Sequence, residues 1–90
     1  MRSYILSYDL RKPGRNYENL IAAIQKYPQW AHPLESVWIV KTSQTASEVR
    51  DNLSHHLDPN DGLIVVEFGT SWAAKSIPTD VTNWLNSVYA

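Results

Sequence analysis

Short strand-type and helix-type segments alternate along the whole chain of 90 residues, and no linker, repeat or low-complexity stretch separates them. A chain of this length forms one domain, so we predict a single domain over residues 1–90. Strands mixed with helices in this order favour an α+β fold. We predict a ferredoxin-like sandwich: an antiparallel sheet with helices on one face, plus a C-terminal helix. A small parallel α/β unit of three strands is the alternative.

Three segments have the composition of strands, because they are rich in branched and aromatic residues and end at turn-forming residues. They are residues 3–9, 34–42 and 63–68. Leu34 and Glu35, the first two residues of the middle segment, form either a short strand of their own or a bulged start to the strand over residues 36–41. Residues 30–33, with Trp30, His32 and Pro33, are predicted to form a loop, and residues 69–76 are predicted to be irregular.

Apolar residues recur at helical spacing in three further segments. The first helix is predicted to begin after the capping residue Asn16 and to end before Pro28. The second begins with a capping box over residues 45–48 and ends at residues 58–59. The third begins near residues 78–79. The order of elements is therefore strand, helix, one or two strands, helix, strand, helix.

Composition excludes several classes of site and location. The chain has no cysteine, which excludes disulfides, thiolate metal sites and a cysteine nucleophile. The longest aliphatic run, residues 63–66, is far too short to cross a bilayer, and the first residues lack the pattern of a secretory signal. We therefore expect no membrane partner and a cytoplasmic location.

The chain carries four Trp and five Tyr, more large aromatic residues than the core of so small a domain readily encloses. Tyr and Trp are enriched at ligand sites and subunit contacts, so we expect a homodimer or higher oligomer. Alternatively, the aromatic residues compensate for a thin core. Trp30 and Trp72 are candidates for stacking on a base, whereas Trp38 lies within a strand and is assigned to the core.

Basic residues concentrate near the amino terminus. The net charge of −1 argues against a protein that coats long nucleic acid, but residues 1–15 hold four basic residues and one acidic residue. Gly14 allows close approach of a ligand, and the helix that follows offers free amide groups, which suits a phosphate. A solvated basic loop is the alternative. The predicted ligand-binding residues are Arg11, Lys12, Gly14, Arg15, Asn16, Tyr17 and Trp72.

Three short segments are similar to a known family. YILSYDL at residues 4–10, ESVWIV at residues 35–40 and LDPND at residues 57–61 resemble the small CRISPR-associated adaptation subunit, the Cas-two family, and its VapD-like relatives. The resemblance implies a ferredoxin-like fold and a symmetric dimer. In some members it also implies metal-dependent cleavage of RNA or DNA, with Asp9 as the catalytic residue near the dimer axis. The insert at residues 11–17 and the tail after residue 68 depart from the family pattern. The patterns YDL at residues 8–10 and PGRNY at residues 13–17 resemble small bacterial and phage proteins more closely, which implies a bacterial cell or a phage as the source.

The candidate metal ligands in the sequence are one acidic residue and a pair of adjacent histidines. Two copies of Asp9 across a dimer axis could hold Mg²⁺ or Mn²⁺, but Asp9 could equally pair with Arg11 or Arg15 or accept amide hydrogen bonds. His55 and His56 diverge by about 100° on a helix and cannot chelate one ion. Residues 58–61 are interpreted as a turn.

We expect a homo-oligomeric protein that binds a nucleotide or short nucleic acid through residues 11–15. Three alternatives stay open: a metal-dependent endonuclease that uses Asp9, a non-catalytic protein that captures a cyclic signalling nucleotide in phage counter-defence, and a protein–protein interaction module.

Overall fold

The computed structural model describes residues 1–11, 17–69 and 71–89, which form four strands and three helices. In chain order the elements are β1 Arg2–Asp9, α1 Glu18–Gln25, β2 Gln29–Leu34, β3 Val37–Thr42, α2 Ala46–Ser54, β4 Gly62–Glu67 and α3 Thr79–Tyr89. The strands form one sheet in the order β2-β3-β1-β4, and every neighbouring pair is antiparallel. The α+β class is confirmed, and the parallel three-stranded alternative is wrong.

Strand β2 is the main difference from the sequence expectation, which assigned residues 30–33 to a loop. It pairs with β3 at one edge of the sheet, and its register shifts between Ala31 and Leu34. Pro33 lies within that irregular stretch. Because proline has no N–H group, it is confined in sheets to edge strands and bulges, and both conditions are met here. Leu34 is the last residue of β2 and Glu35 lies in the turn before β3, so residues 34–35 form neither a short strand of their own nor a bulged start to β3.

Helix α2 begins as predicted and ends early. The Thr45 hydroxyl accepts a hydrogen bond from the Glu48 amide at 3.2 Å, and the Glu48 carboxylate accepts one from the Thr45 amide at 2.9 Å. The helix ends at Ser54, four residues before the predicted boundary. The amide of Asp58 donates to the carboxylate of Asp61 at 2.8 Å, and this contact holds the chain in a turn instead of a further helical turn.

The main core lies between one face of the sheet and helices α1 and α2. Trp38 is 2% exposed and confirms its assignment to the core. Its companions on the two central strands are Tyr4, Leu6 and Val40, and the helices contribute Leu20, Ala23, Ile24, Val49 and Leu53. Because these strand residues alternate along β1 and β3, the intervening residues belong to the opposite face.

Helix α3 packs on that opposite face. Its residues Val81 and Leu85 form a second buried cluster with Ala31 of β2 and Ile39 of β3. Partly buried Phe68, Trp72 and Ile77 lie against this cluster, from the segment that joins β4 to α3. Two residues of β4 on the same face stay open, with Ile64 59% exposed and Val66 47% exposed.

The side chain of Tyr27 predicts a pH dependence of stability. Burial raises the pKa of Tyr27 above its usual value, although the hydrogen bond that its hydroxyl accepts from Asn52 opposes this in part. The folded state therefore favours the neutral phenol. The stability that the buried phenol contributes is fully present below its pKa of about 10 in the unfolded state. This stability is lost as the pH rises through the higher pKa of Tyr27 in the folded state.

We expect urea denaturation to show a steeper loss of stability above about pH 10 in the native protein than in Tyr27→Phe. Equal slopes in the two proteins would exclude Tyr27 as the source of the pH dependence.

Candidate functional site

Asp61, the residue before β4, accepts three hydrogen bonds at one end of the sheet. Its Oδ1 accepts from the backbone amide of Arg11 at 2.7 Å, and its Oδ2 accepts from the hydroxyl of Tyr17 at 2.7 Å and the amide of Asp58 at 2.8 Å. Arg11 and Tyr17 are the described residues on either side of the segment 12–16. Asp61 therefore joins the two residues that flank residues 12–16, the basic segment, to the turn before β4.

This turn forms for local reasons. The amide of Asp61 donates to the carbonyl of Asp58 at 2.9 Å, and the Asp58 carboxylate accepts from the amide of Asn60 at 3.2 Å. Asp and Asn favour such turns because their short side chains bond to nearby backbone groups. The expectation of a turn at residues 58–61 is confirmed, but the sequence interpretation missed that Asp61 also binds residues far away in the chain.

The guanidinium of Arg11 is exposed but held in place. Its Nε donates to Asp9 Oδ2 at 3.0 Å, and its Nη1 donates to the carbonyl of Asn60 at 3.3 Å. The side chains of Arg11 and Asp9 are 58% and 71% exposed. An ion pair this exposed contributes at most about 1 kcal/mol to stability. Its main effect is to orient Arg11, and it is the contact that the ion-pair alternative for Asp9 requires.

Gly62 allows Arg11 to lie against the start of β4. A Cβ atom at this position would lie 3.1 Å from Nη2 of Arg11 and 3.7 Å from its Cζ. Few real Cβ contacts are as short as the first of these, so a side chain here would displace the guanidinium. Gly62 is the first residue of β4, so the start of this strand and the position of the Arg11 guanidinium depend on the same glycine.

A group of aromatic rings surrounds Trp38 on the face of the sheet that helices α1 and α2 cover. The ring of His32 stacks on Trp38 with a centroid distance of 3.7 Å, and the ring of Trp30 lies tilted at 5.5 Å. Trp38 Nε1 donates to the hydroxyl of Tyr8 at 3.0 Å. Trp38 is buried, whereas Trp30 and His32 are exposed. The alternation of Trp30 and His32 would have indicated this shared face had β2 been identified as a strand.

Trp72 lies elsewhere. It lines an apolar cavity of about 300 Å³ on the other face of the sheet, together with Ile5, Leu34 and Phe68. Neither Arg11 nor Tyr17 lines this cavity. The predicted ligand residues therefore occupy two separate places, and Trp72 does not adjoin the group around Asp61.

The remaining predicted ligand residues, Lys12, Gly14, Arg15 and Asn16, lie outside the described residues. In the described part of the chain, no three histidine or acidic side chains come together as a metal site would require. Likewise, none of the helices in the described ranges has the length and apolar composition needed to span a membrane.

Comparison of the chain with models of protein families, with curated proteins and with solved structures found no match. The resemblance to the Cas-two family therefore rests on the three sequence segments alone.

Proposed function

We propose that the protein binds a phosphate-bearing ligand, a nucleotide or short nucleic acid, through Arg11 and the basic segment that follows it. The observation that carries this proposal is the exposed but oriented guanidinium of Arg11. Within the described residues, its hydrogen bonds to Asp9 and Asn60 use two of its five N–H groups. The others are available for charge-assisted hydrogen bonds to phosphate oxygens. A side chain already held in place loses less conformational entropy on binding.

The acidic side chains near Arg11 explain why Arg11 alone would not be enough to bind an anionic ligand. Asp9, Asp58 and Asp61 all take part in the contacts at this end of the sheet, so Arg11 lies among three carboxylates. Lys12 and Arg15 follow Arg11 closely in the chain and would add positive charge for an anionic ligand. The proposal therefore requires these cations to act together with Arg11.

Exposed aromatic rings supply candidates for binding the base. Trp30 is 40% exposed and His32 is exposed, and both rest on the buried ring of Trp38. Stacking of a base on an aromatic side chain contributes about 1–3 kcal/mol. His32 therefore joins Trp30 and Trp72 as a stacking candidate.

The topology supports a ferredoxin-like assignment and, through it, the Cas-two-like resemblance. In β1-α1-β2 the two strands lie on either side of β3, and in β3-α2-β4 they lie on either side of β1. Two such split units are typical of the ferredoxin-like fold. The metal-dependent nuclease remains the enzymatic alternative, but the ion pair with Arg11 competes with a metal ion for Asp9. Cleavage of RNA or DNA that needs Mg²⁺ or Mn²⁺ and is lost in Asp9→Asn would favour it.

The double variant Arg11→Ala, Arg15→Ala tests the phosphate site. We expect it to weaken binding of an anionic ligand at least about a hundredfold, because each charge-assisted contact contributes roughly 1.5–3 kcal/mol. Calorimetry with a mononucleotide, a cyclic dinucleotide and a short RNA measures the effect.

Arg50→Ala is the matched control. Arg50 is 57% exposed and pairs with Asp51 at 3.0 Å, which closely resembles the setting of Arg11. We expect it to leave the affinity unchanged. The proposal is wrong if none of the three ligands binds the native protein, or if the double variant binds as well as the native protein does.

A further inference from the structure

The two edge strands of the sheet differ in how they are protected. Edge β2 contains Pro33 and a register shift, and both features hinder the addition of another strand. Edge β4 has the sequence GLIVVE, with no proline and no lysine, and it pairs with β1 without a shift. Its central residues have high β-propensity. Such an edge is a template for pairing with another chain.

The backbone groups at the free side of β4 can be identified from its pairing with β1. The amide of Phe68 donates to the carbonyl of Ser3 at 3.0 Å, so residue 68 directs its backbone groups toward β1. Because this direction alternates in an antiparallel ladder, Leu63, Val65 and Glu67 direct theirs away from β1. In the described part of the chain, no backbone hydrogen bond outside the sheet reaches these three residues.

We propose that β4 pairs in antiparallel fashion with β4 of a second copy of this chain, about a two-fold axis at Val65. The two sheets would then form one sheet of eight strands. In this register Val65 lies opposite the partner's Val65, and Leu63 lies opposite the partner's Glu67. Because residues 63, 65 and 67 direct their backbone groups away from β1, each of these opposed pairs can form both of its inter-strand hydrogen bonds.

The same register covers the exposed apolar residues of β4. Ile64 lies opposite the partner's Val66, and Val66 lies opposite the partner's Ile64. Both face the side of the sheet where α3 packs, but α3 contacts the distant strands β2 and β3 instead. Apolar cross-strand pairs stabilise a sheet, and here they remove the most exposed apolar side chains of β4 from water.

Charge complementarity identifies a second copy as the occupant. Arg50 of α2 lines a cavity at this edge together with Leu63 and Val65. Leu63 lies on the face of the sheet that α1 and α2 cover, and the partner's Glu67 would lie opposite it. Each Arg50 would therefore meet a carboxylate of the other copy, twice by symmetry. An unrelated strand offers no reason for this match.

This dimer is incompatible with a metal ion shared by two copies of Asp9. Asp9 pairs with Gly62, three residues from Val65 and one strand inward. With about 3.3 Å per residue and about 4.8 Å between strands, the two Asp9 residues would lie about 25 Å apart. They could not bind one ion.

Charge reversal tests the interface. We expect the native protein to sediment as a dimer at tens of micromolar and Arg50→Glu or Glu67→Arg to raise the dissociation constant at least about tenfold. Combining Arg50→Glu with Glu67→Arg in one chain should restore the dissociation constant to within about threefold of the native value. Additive losses without restoration would overturn the ion pair.

A matched pair of lysine substitutions keeps the test independent of folding. Val66→Lys should produce a monomer, whereas Leu34→Lys should leave the dimer intact, since Leu34 is 53% exposed at the protected edge. Circular dichroism verifies that both variants are folded. A native monomer, or a dimer unaffected by Val66→Lys, would overturn the proposal without bearing on the Arg11 site.

Cysteine cross-linking reports the register directly, because the chain has no cysteine of its own. Opposed residues in a hydrogen-bonded antiparallel pair have Cα atoms about 5.5 Å apart, within disulfide range. Val65→Cys should therefore cross-link on oxidation, and Leu34→Cys should not. Cross-linking of both or of neither variant contradicts an axis at Val65.

Discussion

Replacing Trp38 by alanine is expected to lower the free energy of unfolding by about 4 kcal/mol. Trp38 is 2% exposed and lies in the main core. The substitution leaves a large cavity, removes the ring on which His32 stacks and deprives the Tyr8 hydroxyl of a donor. A domain of this length has a total stability of roughly 5–13 kcal/mol, so the loss is a substantial fraction of it. Urea denaturation followed by circular dichroism measures it.

Trp30→Ala is the matched control, because Trp30 contacts the same ring but is 40% exposed. We expect a loss of about 1 kcal/mol. Losses of equal size in the two variants would mean that burial of Trp38 does not organise this part of the core.

Replacing Asp61 by alanine is expected to lower the free energy of unfolding by about 2–4 kcal/mol. The substitution removes the acceptor shared by the Arg11 amide, the Tyr17 hydroxyl and the Asp58 amide. The loss stays below the sum of three buried bonds because water can reach this half-buried group. If residues 11–15 hold a phosphate, Asp61→Ala should also weaken the ligand at temperatures where the variant is fully folded.

Asp51→Ala serves as the control, since Asp51 pairs only with exposed Arg50 among the described contacts. Its stability should stay within about 0.5 kcal/mol of the native value. A similarly small change in Asp61→Ala would show that Asp61 does not hold the flanks of the basic segment.

Local signals in the sequence predicted three helices and three of the four strands, although α1 begins at Glu18 with Tyr17, not Asn16, at the N-cap position. The capping box at residues 45–48 placed the start of α2 correctly, because its two hydrogen bonds join residues only three apart. The strand-type composition of residues 3–9 and 63–68 likewise matched β1 and β4 closely. Strand β2 escaped prediction because Pro33 is normally a sign of a loop, and only pairing with β3 makes it an edge strand.

The candidate site was predictable in part. The concentration of basic residues near the amino terminus indicated residues 11–15, because charge is visible in composition alone. Nothing local indicated that Asp61 would accept hydrogen bonds from Tyr17 and Arg11, which lie 44 and 50 residues away in the chain. Nor could the sequence place Trp72 on the opposite face from the rings around Trp38, since that depends on where the segment after β4 packs.

The sequence by itself thus determined the α+β class and the position of the basic segment, since periodicity, caps and charge act between near neighbours. Only the tertiary structure decided which residues meet at the end of the sheet and which edge stays open. The order β2-β3-β1-β4 brings Asp61 beside Arg11 and leaves β4 outermost with two exposed apolar residues. Strand order follows from pairing between distant segments, and no local pattern encodes it.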